Sequence, residues 1–249
     1  MEKSFLTVIT QSRSPFDQIA VYRIKTRSKT AQNKPAEALE VGLAILSRLG
    51  MSFPQAPTPP DVQEAMLSEN KLIGDRTIRS LAELPVVCDQ EQIATIDMLM
   101  DVSPAAYLTG SPLYPLLIAV AVKRSIQYGN TARSAHVYAS YGLITCYLAK
   151  AIDMGVAYGK LAQQLIANFN TPIAKPDTLV VTGMFLTHRS HHIKDSLSVL
   201  QEAYSAAIEV GNLEATGYAA AVVCSNAYWC AQPLIDLTQE ISTYAEELE

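Results

Sequence analysis

The chain has 249 residues and a formal net charge of −5, from 19 basic and 24 acidic residues; hydrophobic residues make up 49% and charged residues 17%. That balance is too apolar for a disordered tail. It also lacks the clustered Lys and Arg that a phosphate backbone requires, which argues against nucleic acid as a partner.

The length allows a sizeable core or one elongated repeat array, and residues 1–249 are read as a single helical-repeat domain. Ser14-Pro15 gives the first helix start, with a hydroxyl to cap and a proline suited to the first helical position. Arg23, Lys25, Arg27, Lys29 and Lys34 then read as a solvated helix face. Leu39, Leu43, Leu46 and Leu49 recur at helical spacing. The segment 51–60, MSFPQAPTPP, holds four prolines and must be extended, as a hinge or a rigid spacer. Asp89-Gln90-Glu91-Gln92 resembles a capping box and Ser111-Pro112 repeats the serine-proline signal. The predicted helices are 15–31, 35–50, 61–70, 74–83, 89–103, 112–129, 131–149, 152–169, 176–189, 193–210, 213–230 and 233–247. No stretch alternates as a strand would, so the fold class is all-α.

An internal repeat joins Ile126-Gln127-Tyr128-Gly129-Asn130 to Ile208-Glu209-Val210-Gly211-Asn212, 82 residues later. A glycine past a helix end can close it in the left-handed conformation and the following Asn can cap the next helix, so Gly129, Asn130, Gly211 and Asn212 are expected as tight structural corners. Small residues follow both corners, at Ser134, Ala135 and Ala139 and at Thr216, Gly217 and Ala221, and are expected to permit close helix approach. A fainter echo relates Val41, Ile45, Leu46 and Leu49 to Leu161, Leu165, Ile166 and Phe169, 120 residues on. Both spacings suit helical hairpins of about 41 residues, the architecture of a stacked α-solenoid. Gly42, inside a predicted helix, should accept alanine wherever there is room for a methyl group.

Cys88, Cys146, Cys224 and Cys230 form no C-x-x-C pair and have apolar or small neighbours, so they read as buried thiols. Free thiols and the lack of a secretory h-region point to the cytoplasm. The longest apolar run, Leu116–Val122, falls far short of the roughly 20 residues of a membrane span.

The phrases SPFDQIAVYRI, AEALEVGLAILSRLG, SIQYGNTARSAHVYASYGL, GMFLTH and KDSLSVLQEAYSAAIEVGNLEATGYA resemble the tetratricopeptide-like region of very large cyanobacterial-type signalling proteins. In those proteins serine/threonine kinase and signal-transduction ATPase domains precede helical repeats, with GAF and histidine-kinase domains after them. The resemblance spans nearly the whole chain and implies a tetratricopeptide-like α-solenoid cut from a larger multidomain chain. The ending LTQEISTYAEELE, inside an amphipathic pattern, is read the same way. Where relatives usually carry an aromatic after the GMFLTH-like phrase, this chain has Arg189-Ser190-His191-His192, so no role is carried over there.

Residues that could carry chemistry are few. His188, His192 and Asp195, at i, i+4 and i+7, would share one face of a continuous helix as metal ligands, with His191 a further option. The helix is expected to end near His191, which makes a polar helix end the plainer reading. His136 near Ser140, paired with Cys146, would need an oriented base and an activated thiolate, and the sequence shows neither. Glu246 and Glu247 are solvated helix-end acids. Tyr107, Tyr114, Tyr128, Tyr138, Tyr141, Tyr147 and Tyr158 crowd the middle, as inter-helix packing or as a recognition groove. There is no G-x-x-x-x-G-K-S/T loop and no H-R-D or D-F-G phrase, so ATP binding and enzyme activity are not expected, nor is a cofactor. The expected function is a protein-interaction and signal-relay scaffold contacting other domains of the same polypeptide or a protein partner. The competing reading is a sensor of a small ligand or peptide, and a third is a metal-dependent enzyme built on the histidines.

Overall fold

Helix α2 (Pro15–Ala31) starts as its sequence dictates: Asp17 N–H donates to Ser14 Oγ at 3.3 Å, and Ser14 N–H donates back to Asp17 Oδ2 at 2.8 Å. The computed structural model describes residues 2–169 and 172–248. Among the described residues the regular structure is entirely helical apart from one parallel bridge between Val86 and Asn130. None of these helices is long and apolar enough to cross a membrane. Packing divides the chain into two compact units, Met1–Arg76 with Glu83–Arg133, and Thr77–Ala82 with Ser134–Glu249.

The first unit adds to α2 the helices α1 (Glu2–Gln11), α3 (Pro35–Arg48), α4 (Pro59–Ile73), α5 (Gln90–Leu108) and α6 (Leu113–Tyr128). Helices α2, α3 and α5 pack mutually, while α6 packs on α5 and α4. Helix α1 has no counterpart in the sequence reading. Its run of Thr, Val and Ile is weakly helical by propensity, and tertiary contacts hold it: Phe5 meets Tyr22 edge to face at 5.1 Å, with Lys25 Nζ 4.0 Å over the Phe5 ring. The proline-rich connection is non-helical through Thr58. Pro59 and Pro60 then form the first turn of α4, which Asp61 Oδ2 closes by accepting from Thr58 N–H and Oγ1–H at 2.7 Å each.

Helix α5 runs five residues past its expected end at 103. Pro104 removes the amide that would bond to the Met100 carbonyl, and Ser103 Oγ donates to that oxygen instead, at 3.1 Å. Asp89 caps α5 by accepting from Glu91 N–H at 2.9 Å, but Gln92 does not reach back; its side-chain oxygen accepts from Arg124. Ile96, Leu99, Met100, Ile45 and Leu46 are fully buried, each worth about 1.5–3 kcal/mol of transfer free energy. Helices α3 and α5 cross so closely at Gly42 that a Cβ there would lie 2.1 Å from Val102 Cγ2, so the room that an alanine at Gly42 requires does not exist.

The second unit holds α7 (Ser134–Tyr147), α8 (Ile152–Phe169), α9 (Lys175–Val181), α10 (Asp195–Val210), α11 (Leu213–Trp229) and α12 (Leu234–Leu248). Helices α7 and α8 cross with Gly142 against Gly155, where a Cβ on Gly142 would come 2.7 Å from the Gly155 carbonyl. Tyr138, Tyr141 and Tyr158 fill the space between them, with Tyr141 edge-on to Tyr158 at 5.0 Å. Further along, Tyr204, Ala203, Ala207, Ala215, Ala219 and Ala220 form a core of α10 and α11, capped by Tyr244 from α12. Two expected α-helices differ. The 74–83 segment is only a 3-10 turn, Ile78–Glu83, and 176–189 is α9 followed by a π-helical turn, Thr182–Leu186, and a 3-10 turn, Thr187–Arg189.

Candidate functional site

A cavity of about 210 Å³ opens in the second unit where α8, the π-helical turn and the start of α10 converge. Val156, Lys160 and Gln163 stand at i, i+4 and i+7 on one face of α8, and Asp195 and Val199 stand at i and i+4 on α10. Leu186 of the π-helical turn supplies an apolar wall. Gly159 keeps the floor open, since a Cβ there would press to 3.0 Å from Leu186 Cδ1. The Thr187 hydroxyl donates to the Thr182 carbonyl at 3.0 Å, an i, i+5 bond that closes the wide turn. Such turns insert one extra residue and re-aim the side chains after it.

This insertion also breaks up the histidine constellation. His188 sits in the 3-10 turn, residues 190–194 form no helix, and Asp195 opens α10, so His188, His192 and Asp195 do not share a helix face. No group of three or more His, Cys, Asp or Glu among the described residues is placed to hold a metal ion. Burial, with Arg189 nearby, holds the His188 imidazole below its ordinary pKa. His191 Nδ1 contacts Ser190 Oγ at 2.8 Å, and His192 Nδ1 accepts from Lys194 N–H at 3.0 Å. Of the four candidate metal ligands only His191 and Asp195 line the cavity.

His136 and Cys146 both lie on α7, ten residues and so about 15 Å apart along the axis. Burial raises the Cys146 thiol above its usual pKa, the reverse of an activated nucleophile. Among the described residues Cys146 is the only buried thiol. Cys224 and Cys230 are half-buried and Cys88 is exposed, which corrects the expectation of four buried cysteines. The tyrosines divide as well: Tyr138, Tyr141 and Tyr158 are core, whereas Tyr107, Tyr128 and Tyr147 are exposed.

The first unit contains a charge cluster absent from the sequence reading. Asp101 of α5, its side chain 3% exposed, accepts from Arg23 Nε at 2.6 Å and from Arg27 Nη2 at 2.7 Å, and pairs with Arg133 Nη2 at 3.3 Å. Asp97, one turn earlier, receives Arg23 Nη1 at 2.7 Å. Arg23 and Arg27 therefore belong to a partly buried network and are not simply a solvated face. Lys29 and Lys34 pair with Glu37 on the surface. Burial, assisted by Asp101, raises the Asp97 carboxyl above its ordinary pKa despite the opposing pull of Arg23 and Arg133.

The two Gly-Asn corners differ. Gly211 is left-handed, φ 68° and ψ 29°, and Asn212 caps α11 by accepting from Ala215 N–H at 3.1 Å while its amide donates to Asp177 at 2.8 Å. Gly129 has φ 112° with ψ −177°, and Asn130 is paired backbone to backbone with the 85–87 segment, through Asn130 N–H to Pro85 O at 2.8 Å and Val87 N–H to Asn130 O at 2.9 Å. The first corner is thus a strap, with α7 starting only at Ser134. Of the small residues after the corners, Ser134, Ala135, Ala139 and Thr216 are buried, but Ala221 is exposed and Gly217 faces open space. The last two helices carry exposed apolar side chains, with Tyr228 and Trp229 in mutual edge-to-face contact and Leu234 and Ile235 just beyond.

No protein-family model matches the chain, and no curated protein or solved structure matches it either.

Proposed function

We propose that this chain is a tetratricopeptide-like helical-repeat scaffold of a multidomain sensor kinase, non-catalytic in itself, that relays signals by contacting other domains of the same polypeptide or a protein partner. The observation that carries this reading is the apolar surface on α11 and α12. Trp229 is 72% and Ile235 76% exposed, beside Tyr228 and Leu234, a combination of aromatic and aliphatic groups that serves as a binding anchor in protein interfaces. Four α-helices, α7 to α10, lie between Gly129 and Gly211, with a π-helical and a 3-10 turn between the last two, and two hairpins would supply four. The resemblance to kinase-associated repeats gives the context, and a cytoplasmic setting goes with it.

The test begins with the open reading frame, where serine/threonine kinase, ATPase and histidine-kinase segments are expected. Each encoded segment is then titrated against the purified chain by calorimetry. Binding that weakens at least tenfold in Trp229→Ser and Ile235→Ser supports the scaffold. A reading frame without such segments, or binding indifferent to both substitutions, overturns it.

A second reading, a sensor of a small ligand, rests on the cavity between α8, the π-helical turn and α10. A thermal-shift screen tests it, since a ligand selective for the folded state raises Tm by mass action.

A further inference from the structure

Helix α11 is uncharged on both of its sides. One side is buried, through Ala215, Thr216, Ala219, Ala220, Val223 and Ala227, and packs with α10 and α12. On a surface helix the opposite side would carry charge. Here no charged residue occurs from Ala215 to Ile235, and the free side presents Tyr218, Ala221, Ser225, Tyr228 and Trp229, all exposed. Gly217, Ala221 and Ser225 stand at i, i+4 and i+8, a row with almost no side-chain bulk, and a Cβ on Gly217 would meet nothing within 4 Å. Such a row is a groove that the side-chain ridge of another helix can fill. Tyr218 borders the row and Trp229, one turn beyond Ser225, closes its end, edge to face with Tyr228 at 5.5 Å. From Tyr218 to Trp229 the face runs about 16 Å, or about three turns of helix.

The charge around this face has one sign. Residues 195–249 hold nine Asp and Glu and no Lys, Arg or His, and all 19 Lys and Arg of the chain precede them. Glu214 is exposed one turn before Tyr218, and Asp236, Glu246 and Glu247 are exposed on the adjoining α12. We propose that the free face of α11 docks a basic amphipathic helix of a protein partner. The inference rests on the scaffold reading and names the partner's chemistry. An apolar stripe at i, i+3, i+4 and i+7 of the partner helix fills the groove and covers Trp229, while Lys and Arg on its flanks are drawn by Glu214 and the acids of α12. The same field repels an anionic membrane and a nucleic-acid backbone. It also disfavours a second copy placed face to face, which would set like charges against each other.

Trp229 is the single tryptophan of the chain, so its fluorescence reports cover over this face directly. Tryptophan-free peptides of about five helical turns test the assignment. One has a leucine stripe at helical spacing with lysine elsewhere, one has glutamate in place of lysine, and one has the lysine peptide's composition scrambled to abolish the stripe. The expected result is a saturable blue shift of Trp229 with the lysine peptide, at least tenfold tighter than with either of the others and weakened by salt. Ala221→Gln combined with Ser225→Gln fills the groove at exposed positions without changing its charge. That variant should bind the lysine peptide at least tenfold more weakly, with the circular dichroism spectrum and Tm unchanged. No saturable shift, equal affinity for the lysine and glutamate peptides, or binding that the double substitution leaves unaltered overturns the proposal. So does a shift produced instead by phosphatidylglycerol vesicles, or a dimer in sedimentation equilibrium that the double substitution abolishes. An encoded segment of the same reading frame that binds through Trp229 without a basic amphipathic helix overturns the partner's chemistry and keeps the scaffold. Binding by no encoded segment overturns both.

Discussion

Arg133 Nη2 lies 3.3 Å from Asp101 Oδ1, joining the segment after α6 to the middle of α5 across 32 residues of chain. With Arg23 and Arg27 on the same carboxylate, Asp101 is the shared acceptor of three guanidinium groups. Removing it would strand those charges in a partly buried site. Asp101→Ala is expected to cost about 3–5 kcal/mol, the usual penalty for breaking a buried pair, read from urea unfolding. A loss below about 1 kcal/mol would show that solvent already screens the cluster.

Asp97 behaves differently with pH. Its folded-state pKa is raised above the ordinary 3.8, by burial first and by Asp101 in addition. The ionised form is therefore disfavoured in the folded protein, and that penalty is fully present above the raised pKa. It is relieved as pH falls toward 3.8, because the folded state takes up the proton first. Asp97→Asn imitates the protonated group, so its stability relative to wild type should be highest at pH 7 and should converge on wild type near pH 4. Unfolding curves across that range check the sign, and a gap that widens toward acid would contradict it.

Glycine substitutions should rank by geometry. At Gly211 the cost is backbone strain alone, since a Cβ meets nothing within 4 Å at φ 68°; Gly211→Ala should lose about 1 kcal/mol, and Gly211→Val more. At Gly129 the same strain is joined by a Cβ that would lie 2.1 Å from the Pro85 carbonyl oxygen, so Gly129→Ala should be clearly worse. Gly42→Ala, which sequence logic favours, should destabilise by about 1–3 kcal/mol through overpacking against Val102. Thermal unfolding of the three alanine variants gives the ranking directly.

Thiol labelling should follow exposure. Cys88 is open to solvent, whereas Cys146 is buried, its thiol pKa raised, with Sγ donating to the Ile152 carbonyl at 3.8 Å. Under native conditions a thiol reagent should modify Cys88 first and reach Cys146 only on unfolding, which peptide mass spectrometry after timed quenching resolves.

What the sequence disclosed follows from the range of each interaction. Ser14, Asp89 and Asn212 cap the helices expected of them, because a cap acts within three residues and its partners are adjacent in the chain. Helix α5 continues past its expected end at 103 because Ser103 supplies the bond that the Pro104 ring removes. The cation face on α2 was misread for the opposite reason: its acids lie 78 and 74 residues away. The π-helical turn left no period to detect, being a single inserted residue inside GMFLTH. The cavity is half legible in the sequence: Asp195 and His191 stand in a pattern that suggests metal ligands, whereas Lys160 and Gln163 belong to no motif and are exposed residues of α8.

The distance in sequence between Arg23 and Asp101 also bears on the order of events in folding. Their bond closes a loop of 78 residues, an entropic cost from which it is expected to form late, on the native side of the barrier. Weakening it would leave the rate of refolding nearly untouched and speed the rate of unfolding. On that expectation the guanidinium cluster would act as a latch on the lifetime of the folded state, and the unfolding rate of Arg23→Met against its refolding rate checks it.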